Sequence, residues 1–213
     1  MELFLFISAI VVGIIILGAF LDKNNTLSKI QDRNKQLSTL PFKEDFESSK
    51  QYSSSNKSSM IEIDEKKKKI RLSQFVHYHD DGRQLLETKT YNFTDIVESE
   101  IIMDNNSLIK TSRTSQLAGI AIGSLLAGNL GAVIGGLSGD KQNIEYIKNI
   151  DLKVRVNDFE RPSYKINFLS NINEVGIENK KGLIKNDHKC QIALQDVEYW
   201  YNILNLIIKQ NNK

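Results

Sequence analysis

A single cysteine, Cys190, is all the thiol chemistry in the chain, so no internal disulfide can form and nothing argues for an oxidising compartment. A net charge of +2 is too small to imply a nucleic-acid partner, and no long basic stripe with interleaved aromatics appears. There is no G-x-S-x-G turn, no Walker-type loop and no dinucleotide fingerprint. Prolines number only two, one of which, Pro41, closes a polar helical stretch.

What is present is two blocks without charge, Leu3–Leu21 and Leu117–Leu137, in a chain long enough for one ordinary domain with appendages. The first, about 19 residues, reaches about 28 Å as a helix against a hydrocarbon layer of about 30 Å. Its branched and aromatic ends, Leu3, Phe4, Leu5, Phe6 and Ile14, Ile15, Ile16, Leu17, suit lipid. A cleaved signal peptide would open on basic residues and carry an apolar run of about 7–15. Here Met1-Glu2 come first, and Gly18-Ala19-Phe20 sets a large aromatic where a small residue belongs. Residues 1–21 therefore read as an uncleaved transmembrane anchor. Lys23, Lys29, Arg33 and Lys35 follow it and no Lys or Arg precedes it, which places the N-terminus outside and the domain in the cytoplasm.

Residues 22–58 read as a juxtamembrane helix and a flexible linker. Leu27, Ile30 and Leu37 have heptad-like spacing with Asn34 among them. That fits a short surface helix, or a parallel dimer with a buried Asn, for which three or four clean heptads are the usual requirement. The Ser-, Asn- and Lys-rich run 48–59 has almost nothing to bury.

From residue 59 the period becomes two. Ile61 and Ile63 alternate with Glu62 and Asp64; Ile70, Leu72, Val76 and Tyr78 share a face that Gln74 interrupts. Asp80-Asp81-Gly82 is a hairpin turn. Val97, Ser99, Ile101 and Met103 form another face, Asp104-Asn105-Asn106 a turn, and Ile150, Leu152, Val154 and Val156 a cleanly alternating strand. A turn at Arg161-Pro162 leads to Tyr164, Ile166 and Phe168. Cys190, Leu194, Val197, Tyr201, Leu204 and Ile208 then recur every three or four residues, a helix from about Asp187, its N-cap, to Lys209. The expected class is α+β, mainly β. About seven strands form a pleckstrin-homology-like (PH-like) barrel over residues 59–209, closed by the C-terminal helix and interrupted at 113–140 by a glycine-rich helical hairpin.

That interruption carries small residues at helical spacing: Gly119, Gly123, Ala127, Gly131, Gly135 and Gly139. The spacing lets two backbones approach closely, while in water each glycine costs about 1 kcal/mol of helix stability against Ala. Three arrangements fit: a second complete span, a tight hairpin turning at Gly128-Asn129 with arms of about 15 Å, and a soluble loop over the barrel. The span would separate the strands on its two sides across the bilayer, so the hairpin is the expected form. Tyr91-Asn92-Phe93-Thr94-Asp95-Ile96, followed by a strand pair, the glycine block and two strands, resembles a group of uncharacterised bacterial and prophage-encoded proteins. In them a Y-x-F-x-D-I motif precedes a glycine-zipper insertion within a PH-like β domain. The resemblance covers about residues 60–170. It implies structural roles for Tyr91, Phe93, Asp95 and Ile96 and brings no established activity. Many relatives lack the N-terminal span, and some end in a helical oligomerisation module that has no counterpart here.

Little else points to chemistry. His77 and His79 lie two apart on one strand face and need a third ligand to hold zinc; as hairpin-end polar residues they need no ligand, so no metal and no cofactor are expected. Cys190 lies on the apolar helix stripe, a packed residue rather than a nucleophile. Lys66, Lys67, Lys68, Lys69 and Arg71 concentrate positive charge, each worth about 1 kcal/mol beside an anionic leaflet, although a solvated turn that keeps a sheet edge soluble explains them equally. The reading is a membrane-anchored, non-enzymatic binding or assembly module. Its partners are membrane lipid, a second copy of the chain, and a small-molecule ligand of unknown identity. A bilayer-perturbing prophage or defence effector and a metal-dependent enzyme on the His77/His79 face are the rivals.

Overall fold

The structure, a computed structural model, describes residues 45–77, 84–113, 146–172 and 178–211, together with positions 28, 31, 35 and 36. The expected anchor, most of the juxtamembrane segment, Tyr78, His79, the Asp80-Asp81-Gly82 turn and all of the 113–140 glycine block after Arg113 lie outside the described residues. Among those described, no helix is long and apolar enough to cross a membrane.

Four strands form the first sheet as an antiparallel meander: β1 (Lys50–Ser53), β2 (Ser59–Asp64), β3 (Lys69–His77) and β4 (Gln84–Asn92). A 3-10 turn, Phe93–Asp95, passes the chain to the second sheet, built from β5 (Ile96–Met103), β6 (Asn106–Ser112), β8 (Ile150–Val156) and β9 (Ser163–Leu169) in the order β6-β5-β8-β9. Between them β7 (Tyr146–Ile147) pairs with β10 (Leu183–Ile184), and the helix α1 (His188–Gln210) ends the domain. The class is mainly β with one C-terminal helix.

The alternation does what it predicts. Ile61, Ile63, Ile70 and Leu72 from one sheet and Ile101, Leu152, Val154 and Ile166 from the other are at most 1% exposed and form one core. Each such side chain contributes about 1.5–3 kcal/mol relative to exposure. The intervening residues make cross-strand ion pairs, Glu98–Lys110 at 3.0 Å, Glu98–Arg155 at 3.5 Å and Glu100–Lys153 at 3.6 Å. The helix begins where expected: the Asp187 carboxylate accepts from the Lys189 N–H at 2.9 Å. Its stripe from Cys190 to Ile208 is buried, and it packs on β5, β8 and β9.

Two expectations need correction. In place of about seven strands closed into a barrel there are ten among the described residues, in two open four-stranded sheets and a ribbon. The seam between the sheets explains the opening. β9 meets β2 and β3 through side chains, Gln74 Oε1 accepting from the Lys165 N–H and Ser59 Oγ from the Asn167 N–H, both at 3.0 Å. Side chains, not a strand ladder, satisfy that edge, which also accounts for Gln74 in an otherwise apolar row. Beyond it the buried residue is Phe75, with Val76 only half-buried. The second correction is the linker, which was expected to extend to residue 58: residues 50–53 are β1, paired with β2. A single aromatic overrides the Ser-rich composition. Tyr52 stacks on Phe168 at 4.1 Å between ring centroids and donates its hydroxyl to the Asn167 carbonyl at 3.2 Å.

β6 and β8 both run antiparallel to β5 and hence parallel to each other. Ser112 stands opposite Glu98 and Ile150 opposite Met103. The chain therefore leaves for the glycine block at one end of the sheet and is back in it at the other, about 17 Å along the strands. The strand pair before the block and the pair after it join in one sheet through β5 and β8.

Candidate functional site

A cleft of about 780 Å³ opens between β1, the end of β9 and the first half of α1. Its floor is the stacked pair Tyr52 and Phe168; Ile192 and Asp196, one helical turn apart, form a wall, and Ile172 stands at the mouth. Ile172 and Ile192 remain 45% and 43% exposed, large apolar surface left open beside a hollow. Burial raises the Asp196 carboxyl above its ordinary range, and the Tyr52 hydroxyl is raised by burial and then by Asp196. Neither Tyr52 nor Asp196 stood out in the sequence. Tyr52 lay in a stretch read as linker, and Asp196 is an ordinary polar position beside the apolar stripe. An acidic residue one turn after an exposed Ile was the only local signal.

The tyrosine motif makes a corner between the sheets. The Tyr91 hydroxyl meets Asp158 Oδ2 at 2.8 Å and the Tyr164 hydroxyl at 2.9 Å; Lys89 reaches Asp158 at 3.1 Å and Glu160 at 2.6 Å. Asp158 is held well below the carboxylate range, chiefly by the Tyr91 hydroxyl and next by Lys89, while burial raises Tyr91. Phe93 packs on the core and Ile96 is fully buried. Asp95 Oδ2 accepts from the Asn92 N–H at 2.9 Å and its carbonyl from the Asn157 N–H at 2.8 Å. All four side chains build the fold, and none faces the cleft.

Lys66, Lys67 and Lys68 sit on the β2–β3 turn and Lys69 begins β3. Lys66 pairs with Glu47 at 3.4 Å and Lys67 with Asp45, so two of these charges are already answered by the chain entering the domain. Arg71 does not join them, which corrects its assignment as a lipid contact. It is 7% exposed on the outer face of the first sheet, 3.6 Å from Glu62 and beneath the Phe46 ring at 4.1 Å. Strand alternation turned it from the turn into a covered face. Burial raises Glu62 in turn, with Arg71 opposing it.

Cys190 is buried and its thiol is pushed up to about 11 by burial, the reverse of an activated nucleophile. His77 lies in β3 by its backbone, and among the described residues no three metal-ligating side chains come together.

Two sheets, a C-terminal helix packed on the second and a glycine-rich interruption between strands of that second sheet define a PH-like domain with a glycine-zipper insertion. The chain belongs to that family: the description "Glycine zipper containing PH domain" matches residues 49–170, including β1. It is 40% identical over 128 residues to an "Immunity protein" of Bacillus phage SPbeta, covering 60% of this chain and 61% of that one. It is equally 40% identical over 128 residues to the "SPbeta prophage-derived uncharacterized membrane protein YomJ" of Bacillus subtilis (strain 168), covering 60% of this chain and 54% of that one. The match thus spans well under two thirds of either relative's length. No solved structure matches the chain.

Proposed function

We propose that the chain is a membrane-anchored, non-enzymatic binding and assembly module. Residues 1–21 hold it in the cell membrane with the N-terminus outside, and the PH-like domain works in the cytoplasm. The glycine block makes a second contact, with the bilayer or with another copy. The observation that carries the reading is the pairing of β5 with β8, which joins β6-β5 and β8-β9 into one sheet. Strands from both sides of the block share one sheet, so both lie on one side of any membrane the block touches, and the block enters and leaves from that side. The relative named a membrane protein supports the location. The name "Immunity protein" on the other is in keeping with a non-enzymatic role. With Lys66 and Lys67 paired, exposed Lys68 and half-buried Lys69 are the lysines of this cluster left for an anionic headgroup.

The decisive experiment replaces Gly131 and Gly135 by Leu in the full chain. Membrane fractionation should be unchanged, because residues 1–21 remain, while chemical crosslinking between copies should fall. Crosslinking that stays at its original level overturns the zipper's role. Leakage of liposomes by the purified wild-type chain would favour a bilayer-perturbing effector instead.

A further inference from the structure

β1 is an edge strand with a hollow along its free side. Among the described residues it pairs with β2 alone, Tyr52 opposite Ile61 and Ser53 opposite Met60. The Ser54 N–H bonds to the Ser59 carbonyl at 3.0 Å, which fixes the alternation: Ser54 and Tyr52 turn their backbone groups towards β2, while Gln51 and Ser53 turn theirs outward. Of these two residues Ser53 lines the cleft, together with Ile192 and Asp196. Among the described residues the Asp196 carboxylate has no hydrogen-bond or ion-pair partner, and burial alone raises it. Next to that strand edge there is thus an aromatic floor, an open apolar wall and a carboxylate, Asp196, that no described side chain pairs with, while Glu178 and Lys189 also line the cleft.

We infer that this cleft takes an extended peptide segment as an added strand along β1, with an apolar side chain on the Tyr52–Phe168 floor and a lysine or arginine side chain at Asp196. Alternate side chains of a strand share a face, so the two lie at positions i and i+2 of the peptide. An acyl chain offers nothing to the outward N–H and C=O groups, and an anionic headgroup would meet two carboxylates, Asp196 and Glu178, against the single lysine Lys189 of the lining, so the chemistry is that of a basic-apolar peptide rather than a lipid. The inference rests on the reading of the domain as a binding module and supplies its ligand class; it does not depend on the anchor or the zipper.

The test uses the full chain in detergent micelles and fluorescent octapeptides on an alternating Val/Thr background. Each carries Leu at one position and Lys, Glu or Thr two positions on. Leu/Lys peptides should bind and slow backbone hydrogen exchange in residues 50–53, and their Glu counterparts should bind at least about tenfold more weakly. Asp196→Lys should reverse that preference. Ser53→Pro, tolerated at an outward edge position, should abolish binding of every peptide; if it unfolds the chain, the Asp196→Lys reversal still decides. The inference is overturned if no peptide binds below about 1 mM, if the Lys preference survives Asp196→Lys, or if phosphatidylglycerol vesicles rather than peptides slow exchange in β1. Failure here leaves crosslinking and fractionation as independent tests of the membrane module.

Discussion

Tyr91 ties the two sheets together through a hydroxyl shared between Asp158 and Tyr164. Tyr91→Phe removes both bonds and leaves Asp158 to Lys89, at a cost of about 1–3 kcal/mol in urea denaturation. The folded pKa of Asp158 lies below its unfolded value, so its stabilising effect is complete above the ordinary carboxylate range and is lost only as pH falls through the depressed value. Asp158→Asn should therefore be less stable than wild type at neutral pH, with the gap narrowing below about pH 4. Asp196 has the opposite sign. Its raised pKa means that stability is lost as pH rises from the ordinary carboxylate range through the raised one. Asp196→Asn should melt at or above the wild-type temperature, and the advantage should grow with pH over that window. Gly182 adopts φ +88°, and a Cβ there would stand 2.7 Å from the Ile147 carbonyl oxygen. Gly182→Ala should cost about 1–3 kcal/mol and loosen the β7–β10 ribbon, read as faster hydrogen exchange at Tyr146–Ile147.

At the level of elements, α1 is the strongest organiser of the second sheet. Its buried stripe contacts β5, β8 and β9, and the Tyr201 hydroxyl bonds to Thr111 of β6. Leu204, fully buried, should cost about 2–5 kcal/mol on replacement by Ala, measured by thermal or denaturant unfolding. β1 is secured differently, by one stacked aromatic and by the strap that precedes it. The Glu47 N–H reaches Asp64 Oδ2 at 2.9 Å, and the Ser49 N–H reaches the Ile63 carbonyl at 2.8 Å. The same strap places Phe46 over Arg71, covering a buried charge pair with an aromatic face.

For the whole molecule, topology restricts how the domain can meet a membrane. Arg113 follows β6 and Lys148 precedes β8, and β5 joins those strands into one sheet. Cysteines placed at 113 and at 148 in separate full-length variants should be labelled by a membrane-impermeant maleimide from the same side of sealed vesicles. Cys190, buried and with a raised pKa, should contribute no background. Labelling from opposite sides would mean that the second sheet does not exist in the membrane-bound protein. Deleting residues 1–21 should release most of the chain from the membrane fraction.

Helix α1 with its Asp187 cap, the alternation of β2, β5, β8 and β9, and the turn at Asp104-Asn105 were legible in the sequence because each depends on neighbours a few residues away. Capping geometry, a period of two and a period of 3.6 are local properties. Gln74, β1, the burial of Arg71 and the cleft beside Asp196 were not legible, because each is decided by a partner more than fifteen residues off or by what happens to face it across the seam. Gln74 serves the Lys165 backbone, Tyr52 needs Phe168, and Arg71 lies beneath Phe46 against Glu62. The sequence by itself determined the helix and the alternating strands that supply most of the core. Only the tertiary structure decided that the two sheets meet through side chains and leave an open edge, because unpaired backbone groups and an unanswered carboxylate are properties of the assembled surface rather than of any stretch of chain.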